Sequence, residues 1–416
     1  MSSMIQFPLD LPDVKVLNTE MTEAGDLIIT VKSTREGATC RRCGRAIEHF
    51  HGYDKPLRLR HLPILERRVT IEIRPKRYRC PYCEDHPTTT QRLEWYEPNS
   101  PHTKAFEEWI MRALINSTVV DVSRQYRLGE EAVEGILNRH VTGEVDWSRF
   151  THLGVLGLDE IALTKGHRDF VTIVTCRGAE GEIALLAVLP DRRKETVKRF
   201  LASIPEPLKA TIEQVCTDMY EGFVNAAEEE LPEADRVVDR FHVAKAYRGC
   251  ADELRKQEFK RLKEDLSPEE YEADVKGMMW LFRKPWVDLD DQERGRLERL
   301  FEHSPALRAA HLMREILTVI FDTAQSKTQA TEWLQTWRDA ITLFEIRGFD
   351  GFLTTLDNWM DEITNYFLNR QTSGFVEGLN NKIKVLKRRC YGMLNLSHLF
   401  QRLHLDLEGY RLFGWT

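Results

Sequence analysis

HLGVLGLDEIALTKGHRDFVTIVTCRGAEGEIALLAVLPD, residues 152–191, is the stretch on which the fold turns. Its aliphatic and β-branched runs, near 153–163, 169–177 and 182–189, read as three consecutive strands. Turn signals at Lys165-Gly166 and at 178–181 separate them, and links this short join antiparallel neighbours. Downstream, the pattern predicts a helix over about 194–204 and then a strand in ATIEQVCTDMY that ends at Asp218. A helix near 221–230 precedes a short strand in DRVVDRFHV. The order βββαβαβ followed by a helix specifies an α/β fold with a mixed sheet.

Two carboxylates mark those strands. Asp159 lies in the apolar run VLGLDEIAL, where a charge is costly unless it is paired or metal-bound. Glu160 beside it can fill the same role. Asp218 sits at the C-terminal edge of its strand, where open α/β sheets place functional groups, although it can equally cap the next helix. A third carboxylate, Glu377, heads SGFVEGLNNKIKVLKRRCYG, residues 373–392. Helical spacing puts Val376, Leu379, Ile383 and Leu386 on one apolar stripe. It puts Glu377, Asn381, Lys384 and Arg388 on another face, with Lys387 adding to the cations. That face is either solvated Glu–Arg pairing or a metal-ligating carboxylate beside phosphate-binding groups.

Toward the N-terminus, Cys40-Arg-Arg-Cys43 and Cys80-Pro-Tyr-Cys83 form two CxxC pairs, while Cys176, Cys216, Cys250 and Cys390 stand alone. Paired knuckles of this kind read as a tetrahedral structural Zn²⁺ site, against the alternative of reduced cysteines in two turns. His49, His51 and His86 are substitute ligands, but four cysteines complete the shell. Between the pairs lie Arg58, Arg60, Arg67, Arg68, Arg74, Lys76, Arg77 and Arg79. RRVTIEIRPKRYRC alternates and reads as one strand, so a zinc-stapled basic β module is expected, with Arg67, Arg68 and Arg77 toward DNA phosphates.

Asn99-Ser-Pro101 predicts a helix start with proline at the first position. Val119, Val122, Tyr126, Leu128, Val133, Ile136 and Leu137 then space like two short helices around Leu128-Gly129, a helix–turn–helix pattern that any helical hairpin with a glycine turn shares.

Charged residues are 30% of the 416-residue chain and the net charge is −7, an ordinary soluble composition that leaves nucleic-acid binding to local clusters. No run of 18 apolar residues exists, so no membrane span is expected. The start, MSSMIQFPLDLPDVKV, lacks the regions of a secretory signal, so a cytosolic setting is expected. Residues 243–364 read as mostly helical, with breaks near Leu266-Ser-Pro268, Lys284-Pro285 and Ser304-Pro305. Trp280, Trp286, Trp333, Trp337 and Trp359 lie there, read mainly as packing residues with base stacking as the alternative.

The meander, the two strand aspartates and the late helix glutamate resemble the ribonuclease-H-like core of DDE transposases and retroviral-type integrases. More narrowly, the chain resembles bacterial insertion-sequence transposases of the ISL-three family over nearly its full length. The resemblance rests on the CxxC pairs, the helix–turn–helix, LGLDEIAL, VCTDMYEGF, VVDRFHVAKA and TSGFVEGLNNKIKVLKRRCYG. Gly374 stands where the family commonly has Asn.

The resemblance implies an acidic triad of Asp159, Asp218 and Glu377 holding two Mg²⁺ (or Mn²⁺) ions, with Asn381, Lys384, Lys387 and Arg388 near DNA phosphates. Asp239 and His242 would be auxiliary, His242 orienting a phosphate or simply packing. It implies five segments: a zinc-binding basic domain (1–98), a helix–turn–helix domain (99–150), a first core part (151–260), an α-helical insertion (261–364) and a C-terminal core part (365–416). The expected activity is cleavage of 3′ ends and their transfer to target DNA, by a homodimer or higher oligomer on double-stranded DNA in the bacterial cytoplasm. The expected alternative is a non-catalytic DNA-binding regulator derived from a transposase.

Overall fold

The computed structural model describes residues 8–162, 170–343, 345–346, 348–370, 374–390 and 395–414, with the backbone alone for 374–377, 379 and 380. The Lys165-Gly166 turn and the side chains of Val376, Glu377 and Leu379 lie outside this description. The chain forms two units, residues 1–141 with 408–416, and residues 142–407. No described helix is long and apolar enough to cross a membrane.

The first unit opens with β1 (Val14–Met21), β2 (Leu27–Ser33), β3 (Ala38–Thr39), β4 (Ala46–Ile47), β5 (His49–Tyr53), β6 (Leu57–Ile64), β7 (Arg67–Ile73), β8 (Lys76–Arg79) and β9 (Thr88–Thr90). A sheet of order β1-β2-β7-β6 buries Ile29, Val31, Leu59, Val69, Ile71 and Ile73 on Leu93 and Trp95. A second sheet, β5-β8-β9, and the β3-β4 hairpin carry the cysteines. RRVTIEIRPKRYRC is therefore two strands in two sheets. Proline lacks the N–H a ladder needs, and the Pro75 carbonyl instead accepts from the Asp54 amide at 2.8 Å.

Three helices follow, α1 (Lys104–Leu114), α2 (Val119–Tyr126) and α3 (Glu130–His140). Helix α1 starts after Thr103, whose hydroxyl accepts from the Phe106 amide, and not at Pro101. The cause is long-range: Pro101 O accepts from Arg60 N at 2.8 Å and Thr103 N donates to Arg60 O at 2.9 Å, so residues 101–103 extend along β6. Between α2 and α3 the left-handed residue is Arg127, with Gly129 capping α3. Arg60 secures this turn, its guanidinium donating to Tyr126 O at 2.9 Å and Arg127 O at 3.3 Å.

Glu107, 2% exposed, ties the three-helix region together. It accepts from Ser100 Oγ at 2.6 Å and Arg139 Nη2 at 2.5 Å, and faces His140 Nε2 at 3.0 Å. Burial alone would raise its pKa, but hydrogen bonds with His102, His140, Arg139 and Ser100 outweigh it and hold the carboxyl well below its usual range. Breaking such a network strands its partners. Glu107→Gln is expected to destabilise the first unit by about 2–4 kcal/mol. An unchanged urea midpoint would show that the network does not hold α1 to α3.

The second unit holds β10 (Gly154–Ala162), β11 (Phe170–Arg177), β12 (Ile183–Leu189), α4 (Lys194–Ala202), α5 (Glu206–Lys209), β13 (Ile212–Thr217), α6 (Glu221–Glu230), β14 (Asp235–Val238) and α7 (Arg240–Asp265). The sheet order is β12-β11-β10-β13-β14, antiparallel across the first three strands and parallel from β10 to β14, so the sheet is mixed as the strand pattern predicts. One face, with Leu156, Leu158 and Val174, buries Val197 and Leu201 of α4 and Phe223 of α6.

The helical stretch expected after the sheet continues with α8 (Pro268–Asp274), α9 (Met279–Arg283), α10 (Asp291–His303), α11 (Pro305–Thr323), α12 (Lys327–Leu343), α13 (Asp350–Asn358) and α14 (Met360–Asn369). Its three expected breaks are present, Ser267 capping α8 in a capping box and Ser304 capping α11. Trp337 is buried, its Nε1 donating to Met313 O at 2.8 Å, and Trp286 and Trp359 pack partly on the same core. Trp280, 69% exposed, and Trp333 do not fit the packing expectation. The chain closes with α15 (Gly374–Arg389) and α16 (Leu396–Phe413).

Candidate functional site

The register of β10 on β13 is what assembles the carboxylates. Leu156 pairs with Val215 and Gly157 with Cys216 in parallel, and two further residues on each strand bring Asp159 alongside Asp218. Alternation along β10 puts Asp159 on the face of Val155 and Ile161, and Glu160 on the face of Leu158.

Asp218 is half-buried where the chain leaves β13, its Oδ1 3.5 Å from Thr217 Oγ1. Burial pushes its pKa up to about 6, His242 opposes the rise, and Asp159 and Glu160 add to it. Four titratable groups thus share one field. Asp239 N donates to Thr217 O at 3.3 Å, and the Asp239 carboxylate caps α7 by accepting from Phe241 N at 3.0 Å. This fixes His242 in the first turn of α7, near enough to Asp218 to act on its charge.

Sequence spacing left Glu160 exchangeable with Asp159, but Glu160 Oε2 is engaged by Arg192 Nη1 at 2.8 Å. Nothing near Glu160 in sequence announces this partner.

A carboxyl whose pKa is raised in the fold contributes stability below the unfolded value near 4 and loses it as pH rises through about 6. Metal-free Asp218→Asn is therefore expected to gain about 1–3 kcal/mol on the parent between pH 4 and pH 7. Parallel melting-temperature profiles of the two proteins over that range would contradict the shared field.

Helix α15 packs on the Asp159 side of the sheet, with Ile383 and Leu386 buried against Ile161 and Ile173. Glu377 lies on this helix, six residues before Ile383, but its side chain is outside the described residues. Asn381, Lys384 and Arg388 are exposed as their helical face predicts. Lys387 instead turns inward and donates to the Ala162 carbonyl.

In the first unit, Cys40, Cys43, Cys80 and Cys83 place their sulfurs within 4.8 Å of one another. Cys43 to Cys80 is 3.7 Å and Cys80 to Cys83 is 3.6 Å. A tetrahedron with Zn–S bonds of about 2.3 Å has edges of about 3.8 Å, so the donor set fits Zn²⁺. Amide donors already favour thiolates, Arg42 N reaching Cys40 Sγ and Tyr82 N reaching Cys80 Sγ, each at 3.4 Å. Of the cations expected from sequence to face DNA, Arg67 donates to Gly25 O at 3.0 Å and Arg77 to Thr88 Oγ1 at 2.5 Å, while Arg68 is half-buried.

Comparison with known proteins bears on both units. Residues 156–403 match the ISL3 family model described as a transposase. Residues 91–141 match the helix-turn-helix domain of transposase family ISL3, and residues 36–83 match the zinc-finger of transposase IS204/IS1001/IS1096/IS1165. The chain is 27% identical over 387 residues to the transposase for insertion sequence element IS1001 of Bordetella parapertussis, covering 92% of each chain. It is 23% identical over 426 residues to the transposase for insertion sequence element IS1557 of Mycobacterium tuberculosis, covering 96% of this chain and 93% of that one.

Proposed function

Because this chain belongs to the ISL3 family of transposases, we propose for it divalent-metal-dependent cleavage of 3′ DNA ends at the terminal inverted repeats, followed by their transfer to target DNA. A DNA transposase with a helix–turn–helix and a zinc ribbon needs a reaction centre. The observation that supports one here is that Asp159 and Asp218, each two residues beyond the parallel Gly157–Cys216 pair on adjacent strands, share one field with His242.

Asp159, Asp218 and Glu377 would hold the ions. Their hard oxygen donors suit Mg²⁺ or Mn²⁺, and a carboxylate that is partly buried beside Asp159 and Glu160, as Asp218 is, favours a cation at that place. When bound, two such ions activate the attacking oxygen and neutralise the leaving one.

The chain's own groups do the positioning. Asn381, Lys384 and Arg388 on the exposed face of α15 would hold backbone phosphates. Lys387 would join them only by leaving the Ala162 carbonyl. His242, fixed by the Asp239 cap, would orient a phosphate oxygen. Arg67, Arg68 and Arg77 would supply sequence-independent contacts from the zinc-bound unit. The five segments of the chain would divide the labour between end recognition and reaction, and two element ends would be handled by a homodimer or higher oligomer.

The test is a strand-transfer assay. Purified protein receives a pre-cut element end and supercoiled plasmid, with Mg²⁺ or with EDTA, beside Glu377→Gln. Joined product that requires Mg²⁺ and vanishes in the variant is expected. Specific binding without product on any end would overturn the reading in favour of a DNA-binding regulator.

A further inference from the structure

One guanidinium, that of Arg192, lies beside the carboxylates. Arg192 lies on the link between β12 and α4, and this link is immobilised. Asp191 O accepts from Thr172 Oγ1 at 2.9 Å, and Asp191 Oδ1 accepts from Arg193 N at 2.9 Å. Thr172 is the cross-strand partner of Glu160, so the link is pinned opposite the residue Arg192 engages. The Arg192 guanidinium then stacks over two rings, 5.0 Å from the centroid of Tyr220 and 5.3 Å from that of Phe170.

Tyr220 is itself held in place. Its ring lies so close to Gly222 that a Cβ there would sit 2.5 Å from Tyr220 Cε1. Gly222, the second residue of α6, thus admits the ring on which Arg192 rests. Among the described residues, the bond to Glu160 is the sole hydrogen bond of Arg192, and its side chain is 46% exposed. A planar fork with one donor pinned, its face over two rings and its side chain about half exposed is a pre-organised phosphate receptor.

We propose that Arg192 binds a backbone phosphate of the DNA strand lying across Asp159 and Asp218, from the side of the sheet opposite α15, and that Glu160, Tyr220 and Gly222 position it. This rests on the reading of the two aspartates as the reaction centre. Glu160 is then a positioning residue and Asp159 alone of the pair faces the ions. The contact lies at the reacting strand, so it is separate from the cations of α15 and of the zinc-bound unit.

The experiment measures equilibrium binding of the full chain, in Ca²⁺ to prevent turnover, to a duplex of the terminal repeat. One phosphate at a time is replaced by a neutral methylphosphonate. The parent is expected to lose about tenfold in affinity at one phosphate next to the cut position. Arg192→Ala should bind the unmodified end about tenfold more weakly and be indifferent to that replacement. Gly222→Ala, a better helix former, should keep the fold while blunting the same response. Equal responses of parent and Arg192→Ala at every phosphate overturn the proposal. Where the alanine variant does not fold, Arg192→Lys, which keeps the charge without the fork, takes its place, and equal responses overturn the proposal in the same way. Binding is read without turnover, so a failed strand-transfer assay with this coupling intact counts against the reaction and not against the contact.

Discussion

Alanine at Asp159, Asp218 or Glu377 is expected to lower strand joining by a factor on the order of a thousand or more, with binding to the element end changed by less than about threefold. The two halves of this expectation have different causes. Each carboxylate would supply ligand oxygens to ions that stabilise charge only as the phosphodiester reacts, so its loss falls on turnover. Binding draws on many phosphate contacts, including those of the first unit, and a single acid opposes rather than aids it. Asp218→Ala should even tighten metal-free binding slightly, because it removes a negative charge from the proposed reaction centre. Single-turnover joining and equilibrium binding, measured on the same preparations, separate the two. Full joining by any one variant would remove that residue from the triad.

Glu160→Gln is the control within this series. Its oxygen is engaged by Arg192 at 2.8 Å, so its loss should disturb positioning and leave substantial joining, unlike loss of Asp159.

Removal of the four-cysteine metal has the second large effect. The two knuckles sit in the turns between β3 and β4 and between β8 and β9, and the small core around them contains Ile47, Tyr78, Cys40 and Cys80 with little else. A cluster that small cannot order a hairpin and a three-stranded sheet by burial alone. Zinc binding to such sites contributes on the order of 10 kcal/mol to folding. Cys80→Ser, at a fully buried position, or prolonged chelation is expected to unfold the β3-β4 and β5-β8-β9 elements. DNA affinity should then fall by about a hundredfold or more, and joining with it. The second unit should keep its melting transition. Circular dichroism with stoichiometric metal analysis would check this, and a Cys80→Ser protein that binds the element end normally would show that the metal is dispensable.

Much of this molecule is legible in its residues alone, because the relevant signals are local. Apolar, β-branched runs parted by turn signals in 152–191 specified the meander, and the position of Asp218 after an apolar run specified its strand end. Ser267-Pro268 and Ser304-Pro305 specified helix starts in the insertion, since caps act on the turn that follows them. The CxxC spacing specified the metal site for the same reason, each pair being one turn.

Other features exist only once the chain has folded. Asn99-Ser-Pro101 has the local form of a helix start, yet the helix begins after Thr103 because Arg60, far back in β6, claims the backbone on either side of His102. RRVTIEIRPKRYRC alternates like one strand, yet Pro75 divides it between two sheets. Lys387 shares a basic run with Arg388, yet one turns to the Ala162 carbonyl and the other to solvent. Asp159 and Glu160 are chemically interchangeable in sequence. The parallel register with β13 sets one beside Asp218, and a link pinned to Thr172 delivers Arg192 to the other. Periodicity and capping depend on neighbours within a turn or two of chain. Which carboxylate is paired, which cation is free and where a helix can begin depend on groups that only the folded chain brings within about 3 Å.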